Sequence, residues 1–144
     1  MAESLLVNER QFRFEMVAPE KVEISAQEER VLLPGEEGDF MVLAGHTQLL
    51  AGLRPGVVTV FHANNHVVRY FITGGFADIG STHCTVLTPH ITLVTKLVAD
   101  RLARDIELHL EDLANATETV EIDRLKEALM IMEAKLEAAQ KYNV

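Results

Sequence analysis

Glycine and proline are confined to one part of this chain. All eight glycines lie at or before Gly80, and the last of the four prolines is Pro89. Both residue types punctuate turns, whereas a charged stretch without them is free to form long helices. The sequence therefore predicts a boundary near residue 95, with a β-rich domain at 1–95 and a helical domain at 96–144.

The first part has the pattern of short strands separated by turns. Residues 12–16 alternate between apolar and charged side chains, which is the period of a strand with one buried face. Two apolar runs, 57–61 and 67–72, flank Asn64-Asn65, a pair that suits a tight hairpin turn. Further strands are predicted at 22–24 and at 84–87, the second as the last strand of the core. Short strands without intervening helices predict an antiparallel β-sandwich, or flattened barrel, of about ten strands.

The second part carries two apolar stripes with helical spacing. One runs from Val98 to Leu113 mostly in steps of four, and the other from Ile122 to Ala139 in alternating steps of three and four. Residues between the stripes interrupt both, and Thr119 is predicted to cap the second helix. The predicted fold class is therefore α+β, a β-sandwich followed by an antiparallel two-helix hairpin.

Composition excludes several classes of function. The chain has 13 Lys and Arg against 22 Asp and Glu, a formal net charge of −9, which disfavours binding to nucleic acid or to anionic lipid. No segment approaches the roughly 20 apolar residues of a membrane-spanning helix, and no signal or transit peptide is evident. The single cysteine, Cys84, leaves no internal disulfide and fits a reducing compartment.

The titratable side chains do not assemble a recognisable reaction centre. His62 and His66 lie across the predicted hairpin turn, but the sequence shows no third ligand, so no metal site is expected. The acidic pair Glu28-Glu29 is expected to be solvated at a strand edge. No catalytic residues are predicted, and the chain is not expected to be an enzyme by itself.

The most specific stretch runs from Pro34 to Leu50. It resembles the ε subunit of bacterial F-type ATP synthase (δ in mitochondrial nomenclature), whose pattern is G-x-E-G-E/D-x-x-x-x-P-G-H-x-P-L-L. The matching residues are Gly35, Glu37, Gly38, Asp39, Gly45, His46, Leu49 and Leu50. The segments 54–58, 72–76 and 84–87 resemble later elements of the family in the same order. The likeness covers residues 12–140, with Ala44 and Gln48 replacing two family prolines and 1–11 as an extension.

This resemblance implies a non-catalytic rotor subunit of the central stalk, which couples proton flow to ATP synthesis. The sandwich would dock on the γ subunit and on the loops of the membrane c-ring. Asp39 and His46 are expected, by motif position, at the end that faces the ring. The protein would lie on the cytoplasmic face of a bacterial plasma membrane, attached only through the complex.

The resemblance also implies a regulatory role for the hairpin. In the family, the two helices can fold against the sandwich or extend along γ towards the α/β catalytic head, where they inhibit ATP hydrolysis. Some members bind ATP through the motif I/L-D-x-x-R-A at the start of the first helix. Here only Leu97 and Arg101 match, while Val98 and Leu102 replace the Asp and Ala, so no nucleotide or other cofactor is expected.

Two other classes of function remain as alternatives. One is a cytosolic small-ligand-binding β-sandwich that dimerises through its helical hairpin, which predicts a self-assembled complex without γ. The other is a small hydrolase built on Asp39 and His46, for which no third group completes the site.

Overall fold

The computed structural model describes residues 10–19 and 23–143, without the side chain of Glu23. The strand residue predicted at Val22 and most of the 1–11 extension lie outside this described part. Within it, eight strands precede a 3-10 turn and two helices. These are β1 (Phe12–Val17), β2 (Glu23–Glu28), β3 (Arg30–Gly35), β4 (Gly38–Leu43), β5 (Leu49–Phe61), β6 (Val67–Ile79), β7 (His83–Leu87), β8 (Ile91–Leu93), the 3-10 turn Val94–Lys96, α1 (Ala99–Asn115) and α2 (Thr119–Tyr142).

The strands form one continuous sheet that folds into two layers. Their order is β2-β1-β7-β6-β5-β3-β4, and β8 also pairs with β6. The first half of β6 pairs with β8 and the second half with β7, so this long strand serves both layers. β5 accompanies β6 along its whole length. The prediction of about ten strands is therefore slightly high, because β5 and β6 each run without a break for 13 residues.

Two features of the sheet differ from the sequence-based expectation. β1 and β7 pair in parallel, although every other pair of neighbouring strands is antiparallel. The segment at 84–87 is the last strand with fully buried core residues, as expected, but the short, half-buried strand β8 follows it. The predicted hairpin turn is confirmed, because Asn65 has a positive φ of 65° between β5 and β6.

The core lies between the two layers and is built from the alternating apolar positions. Phe12, Phe14 and Met16 of β1 are almost completely buried. They belong to one cluster with side chains from both layers, which are Val31, Leu33, Val42, Leu53, Val58, Val60, Ile72, Ala77, Ile79, Cys84 and Val86. A close-packed apolar layer of this kind makes the sandwich a stiff body.

The helices belong to a second compact unit, which begins at Val94. Three residues connect α1 to α2, so the helices run antiparallel. The cap prediction is wrong, because Glu118 is the N-cap of α2 and no side chain bonds to that helix start. The side-chain amide of Asn143 donates hydrogen bonds to the carbonyls of Val94 and Leu97, at 2.7 and 3.1 Å, which ties the end of the hairpin to its beginning.

The two helical stripes differ in burial. In α2 the side chains Leu125, Leu129, Ala138 and Ala139 are buried, whereas α1 has no buried residue. Neither helix is long and apolar enough to cross a membrane.

Candidate docking surface

A row of apolar side chains crosses the outer side of the sandwich. Val17 of β1 is paired with Leu87 of β7, which is paired with Phe76 of β6. Residues directly opposite on neighbouring strands point to the same side of a sheet. Phe76 and Leu87 are 59% and 53% exposed, although both are large and apolar. We call Val17, Leu87 and Phe76 the apolar row; Ala18, Pro19 and Pro89 line the shallow groove beside it.

Strand alternation explains why these side chains face outwards. Ala77, which follows Phe76 in β6, points inwards and belongs to the core. Val86, which precedes Leu87 in β7, does the same. Gly75 lies at the base of the groove with a φ of +133°, and a Cβ there would overlap the carbonyl oxygen of Leu87. The close approach of β6 and β7 at this point therefore requires a glycine.

An acidic turn adjoins the apolar row. It consists of Glu36 and Glu37, between β3 and β4, and of Asp39, and we call these three residues the acidic turn. The N–H of Glu36 donates to the carbonyl of Gly52 at 3.0 Å, and the Glu36 carboxylate occupies the space that a side chain at Gly52 would fill. Because Gly52 is paired with Phe76, the acidic turn lies next to one end of the apolar row.

Arg54 fixes the geometry of the acidic turn. Its guanidinium donates one hydrogen bond to the carbonyl of Gly35 and another to Oδ1 of Asp39, each at 2.5 Å. The fork of donors on arginine suits this double contact better than a lysine ammonium would. Asp39 stays half-exposed at 52%, so its carboxylate remains accessible to a partner.

The two residues expected to share one end of the sandwich lie at opposite ends of β4. Asp39 is the second residue of that strand, opposite Pro34 and one step from the turn-closing pair Gly35 and Gly38. His46 follows the far end of the strand, where its N–H donates to the carbonyl of Leu43 at 3.2 Å and its Nδ1 lies 2.6 Å from the carbonyl of Thr47. The four steps from Asp39 to Leu43 alone span about 13 Å. Only Asp39 adjoins the apolar row.

Two further sequence-based expectations concern charged residues. Arg101 is exposed in the first turn of α1, as in a solvated helix start. Glu28, expected to be solvated, is instead buried, and its Oε2 lies 3.0 Å from Nδ1 of His62. His62 thus has an acidic neighbour that the sequence did not reveal. No group of three or more metal-binding side chains occurs among residues 10–19 and 23–143.

Comparisons with solved structures agree with this architecture. A chain in the cryo-EM structure of Euglena gracilis mitochondrial ATP synthase (OSCP/F1/c-ring, rotational state 1) superposes with a TM-score of 0.79 at 22% identity, over 91% of this chain and 82% of that one. A chain from the central stalk/c-ring structure of the Tetrahymena thermophila mitochondrial ATP synthase has a TM-score of 0.64 at 14% identity, over 88% and 95% of the two chains. These likenesses show the fold.

Sequence relatives define the family. The ATP synthase epsilon chain of Mesorhizobium japonicum is 42% identical over 105 residues, which cover 73% of this chain and 78% of the relative. That of Rhodospirillum centenum is 36% identical over 129 residues, or 86% and 88% of the two chains. Residues 11–101 match the family described as ATP synthase, Delta/Epsilon chain, beta-sandwich domain. The chain therefore belongs to the ATP synthase delta/epsilon chain family.

Proposed function

We propose that this chain is the ε subunit of a bacterial F-type ATP synthase, a non-catalytic part of the central stalk that couples proton flow to ATP synthesis. Family membership supports the assignment, and bacterial relatives support the bacterial setting. The observation that carries the proposal is the exposed apolar row beside the acidic turn, on a stiff two-layered body. A rotor subunit needs a rigid frame with distinct contact surfaces, and it needs no reaction centre.

The apolar row is the surface proposed to dock on the γ subunit. Contiguous exposed apolar side chains on a folded domain mark interaction surfaces, and large aromatic residues contribute strongly to such interfaces. The adjacent row on the same side of the sheet carries Glu15, Thr85 and Asp78, which are paired across β1, β7 and β6. A partner surface with an apolar centre and basic residues at its edge would complement this side of the sandwich.

The acidic turn is the surface proposed to face the c-ring. Its carboxylates would contact polar or basic loops of the ring, and Arg54 holds Asp39 in place for that contact. His46, at the other end of β4, is proposed as a second and separate contact on the c-ring. In this arrangement the sandwich at 1–95 bridges γ and the ring, and the protein associates with the cytoplasmic face of the plasma membrane only through the complex.

The hairpin at 96–144 is proposed as a regulatory element that inhibits ATP hydrolysis when it reaches the α/β head. Several large apolar side chains on the two helices are exposed and free to form contacts with other subunits, namely Leu108, Leu110, Val120 and Met130. Partner binding would stabilise one position of the hairpin over another to the extent that it buries these side chains.

The test is co-elution of the chain with a γ-containing ATP synthase head from which the native subunit has been removed, with ATP hydrolysis recorded in parallel. We expect one-to-one co-elution, and a lower hydrolysis rate with the full chain than with a chain that ends after residue 95. Failure of the two folded components to co-elute would overturn the assignment. Self-association of the chain through its hairpin, together with that failure, would favour the small-ligand-binding dimer.

A further inference from the structure

Glu28 occupies a position where a carboxylate is costly. It is the last residue of β2, just before the chain passes from one layer of the sandwich to the other and begins β3 at Arg30. Its side chain is only 2% exposed. Removing a carboxylate from water is unfavourable by several kcal/mol unless a partner compensates the charge. The buried carboxylate of Glu28 therefore needs a partner that compensates its charge, whereas a solvated carboxylate would not.

The compensating group is the imidazole of His62, which a tight turn holds in place. His62 directly follows β5, and its Nδ1 lies 3.0 Å from the Glu28 carboxylate. Its N–H donates to the carbonyl of His66 at 2.8 Å, and its carbonyl accepts from Asn65 at 3.1 Å. The His66 ring stacks beside the His62 ring with a centroid separation of 5.9 Å. The imidazole thus belongs to a backbone-bonded hairpin rather than to a free loop.

The other charged or titratable groups around Glu28 leave His62 as its direct partner. Tyr70 of β6 is close enough for the charge of Glu28 to raise the pKa of the phenol, in addition to the larger effect of burial. Arg30 stacks over the ring of Phe61, with 4.4 Å between its guanidinium carbon and the ring centroid. On the β1 side, Glu28 is paired with the apolar Phe12, and the neighbouring Glu29 is exposed.

We propose that Glu28 and His62 form a proton-dependent tie between β2 in one layer of the sandwich and the β5–β6 hairpin of the other. With Glu28 protonated, a hydrogen bond joins the two side chains and the buried carboxyl carries no charge. When Glu28 ionises, His62 offsets only part of the cost of burying the carboxylate, and the tie weakens. The tie lies at the opposite end of β1 from Val17, so it is separate from the apolar row.

The direction of the pH dependence follows from burial. Burial raises the pKa of the Glu28 carboxyl above its ordinary value of 4.5, and the charge and hydrogen bond of His62 oppose part of that rise. A group whose pKa is higher in the folded state contributes its full stabilisation below the ordinary value. That contribution is lost as the pH rises through the folded-state value. The tie should therefore be strongest in mild acid and weaker at higher pH.

The test is urea unfolding of the full chain and of Glu28→Gln across a series of pH values from about 4.5 upwards. Glutamine keeps the hydrogen-bonding shape of a protonated glutamate but cannot ionise. We expect the urea midpoint of the wild type to fall relative to that of Glu28→Gln as the pH rises. The matched control is Glu29→Gln, on the exposed neighbour, whose curve should parallel that of the wild type. Parallel curves for the wild type and Glu28→Gln would overturn the proposal.

A second measurement does not depend on whether Glu28→Gln folds. The carboxyl carbon of Glu28 can be assigned by through-bond NMR in the wild-type chain and followed through a pH titration. We expect a midpoint above 4.5, and a higher midpoint in His62→Gln, which lacks the neighbouring cation. A midpoint at the ordinary value, or one that His62→Gln leaves unchanged, would refute the tie.

Discussion

Replacing Phe76 by alanine tests whether the apolar row docks on γ. Phe76 is 59% exposed and lies outside the core cluster. The isolated chain should therefore lose no more than about 1 kcal/mol of unfolding free energy, the span of strand preferences for side chains on a sheet surface. The effect on binding should be larger, because the exposed part of the ring is what a partner would cover.

The size of the binding effect follows from the exposed area. A phenylalanine side chain presents roughly 200 Å², so a 59% exposed ring offers about 120 Å² for burial. At about 25 cal/mol per Å² this area corresponds to about 3 kcal/mol. The alanine side chain would still bury some area at the interface, so the net loss of binding free energy is about 2 kcal/mol. The dissociation constant should therefore rise roughly 30-fold.

The assay is calorimetric titration of γ-containing stalk with the wild type, Phe76→Ala and a control. The control is Leu43→Ala, because Leu43 is 48% exposed but follows the core residue Val42 in β4, on the outer side of the other layer. We expect Leu43→Ala to bind like the wild type. If Phe76→Ala bound γ within threefold of the wild type, or if both variants weakened binding equally, the apolar row would not be the docking surface.

Three other predictions concern stability and reactivity. In a urea titration, Gly75→Ala should lower the unfolding free energy by about 3 kcal/mol, because it combines a positive φ with a backbone clash. The control Gly45→Ala, where the new Cβ meets open space, should lower it by only about 1 kcal/mol. Arg54→Ala should cost about 1 kcal/mol at this half-exposed site and speed amide hydrogen exchange in the acidic turn, whereas unchanged exchange would show that the guanidinium does not hold it. Burial raises the pKa of the Cys84 thiol to about 12, so an alkylating reagent at pH 8 should modify the chain only after urea unfolds it.

Local sequence patterns predicted those parts of the fold that depend on local chemistry. Alternation at 12–16, the Asn64-Asn65 turn and the two helical stripes each report on a few neighbouring residues, and the structure contains the strands, turn and helices expected from them. The three residues of β8 are too few to show a period. The parallel pairing of β1 with β7 joins residues about seventy positions apart in the chain, and no local pattern encodes such a register.

The candidate docking surface was only partly predictable for the same reason. Asp39 stood out because it belongs to a motif with fixed spacing. Phe76 and Leu87 have the character of core residues, and their outward direction follows only from the register of β6 against β7. Glu28 was misjudged because an acidic pair at a strand end usually faces water. Glu28 is buried where the chain passes from one layer to the other, and His62 comes to the same place from a distant part of the chain.

The position of Gly52 joins the two proposed contact surfaces into one mechanical unit. Because Gly52 has no side chain, Glu36 packs over it and bonds to its carbonyl, while on the other side the same residue is paired with Phe76. The acidic turn and the apolar row are therefore joined through paired backbone strands rather than through flexible side chains. A regular ladder of backbone hydrogen bonds links antiparallel strands, and the close-packed core beneath them transmits strain. In the proposed rotor, the c-ring contact and the γ contact would then move together, as torque transmission requires.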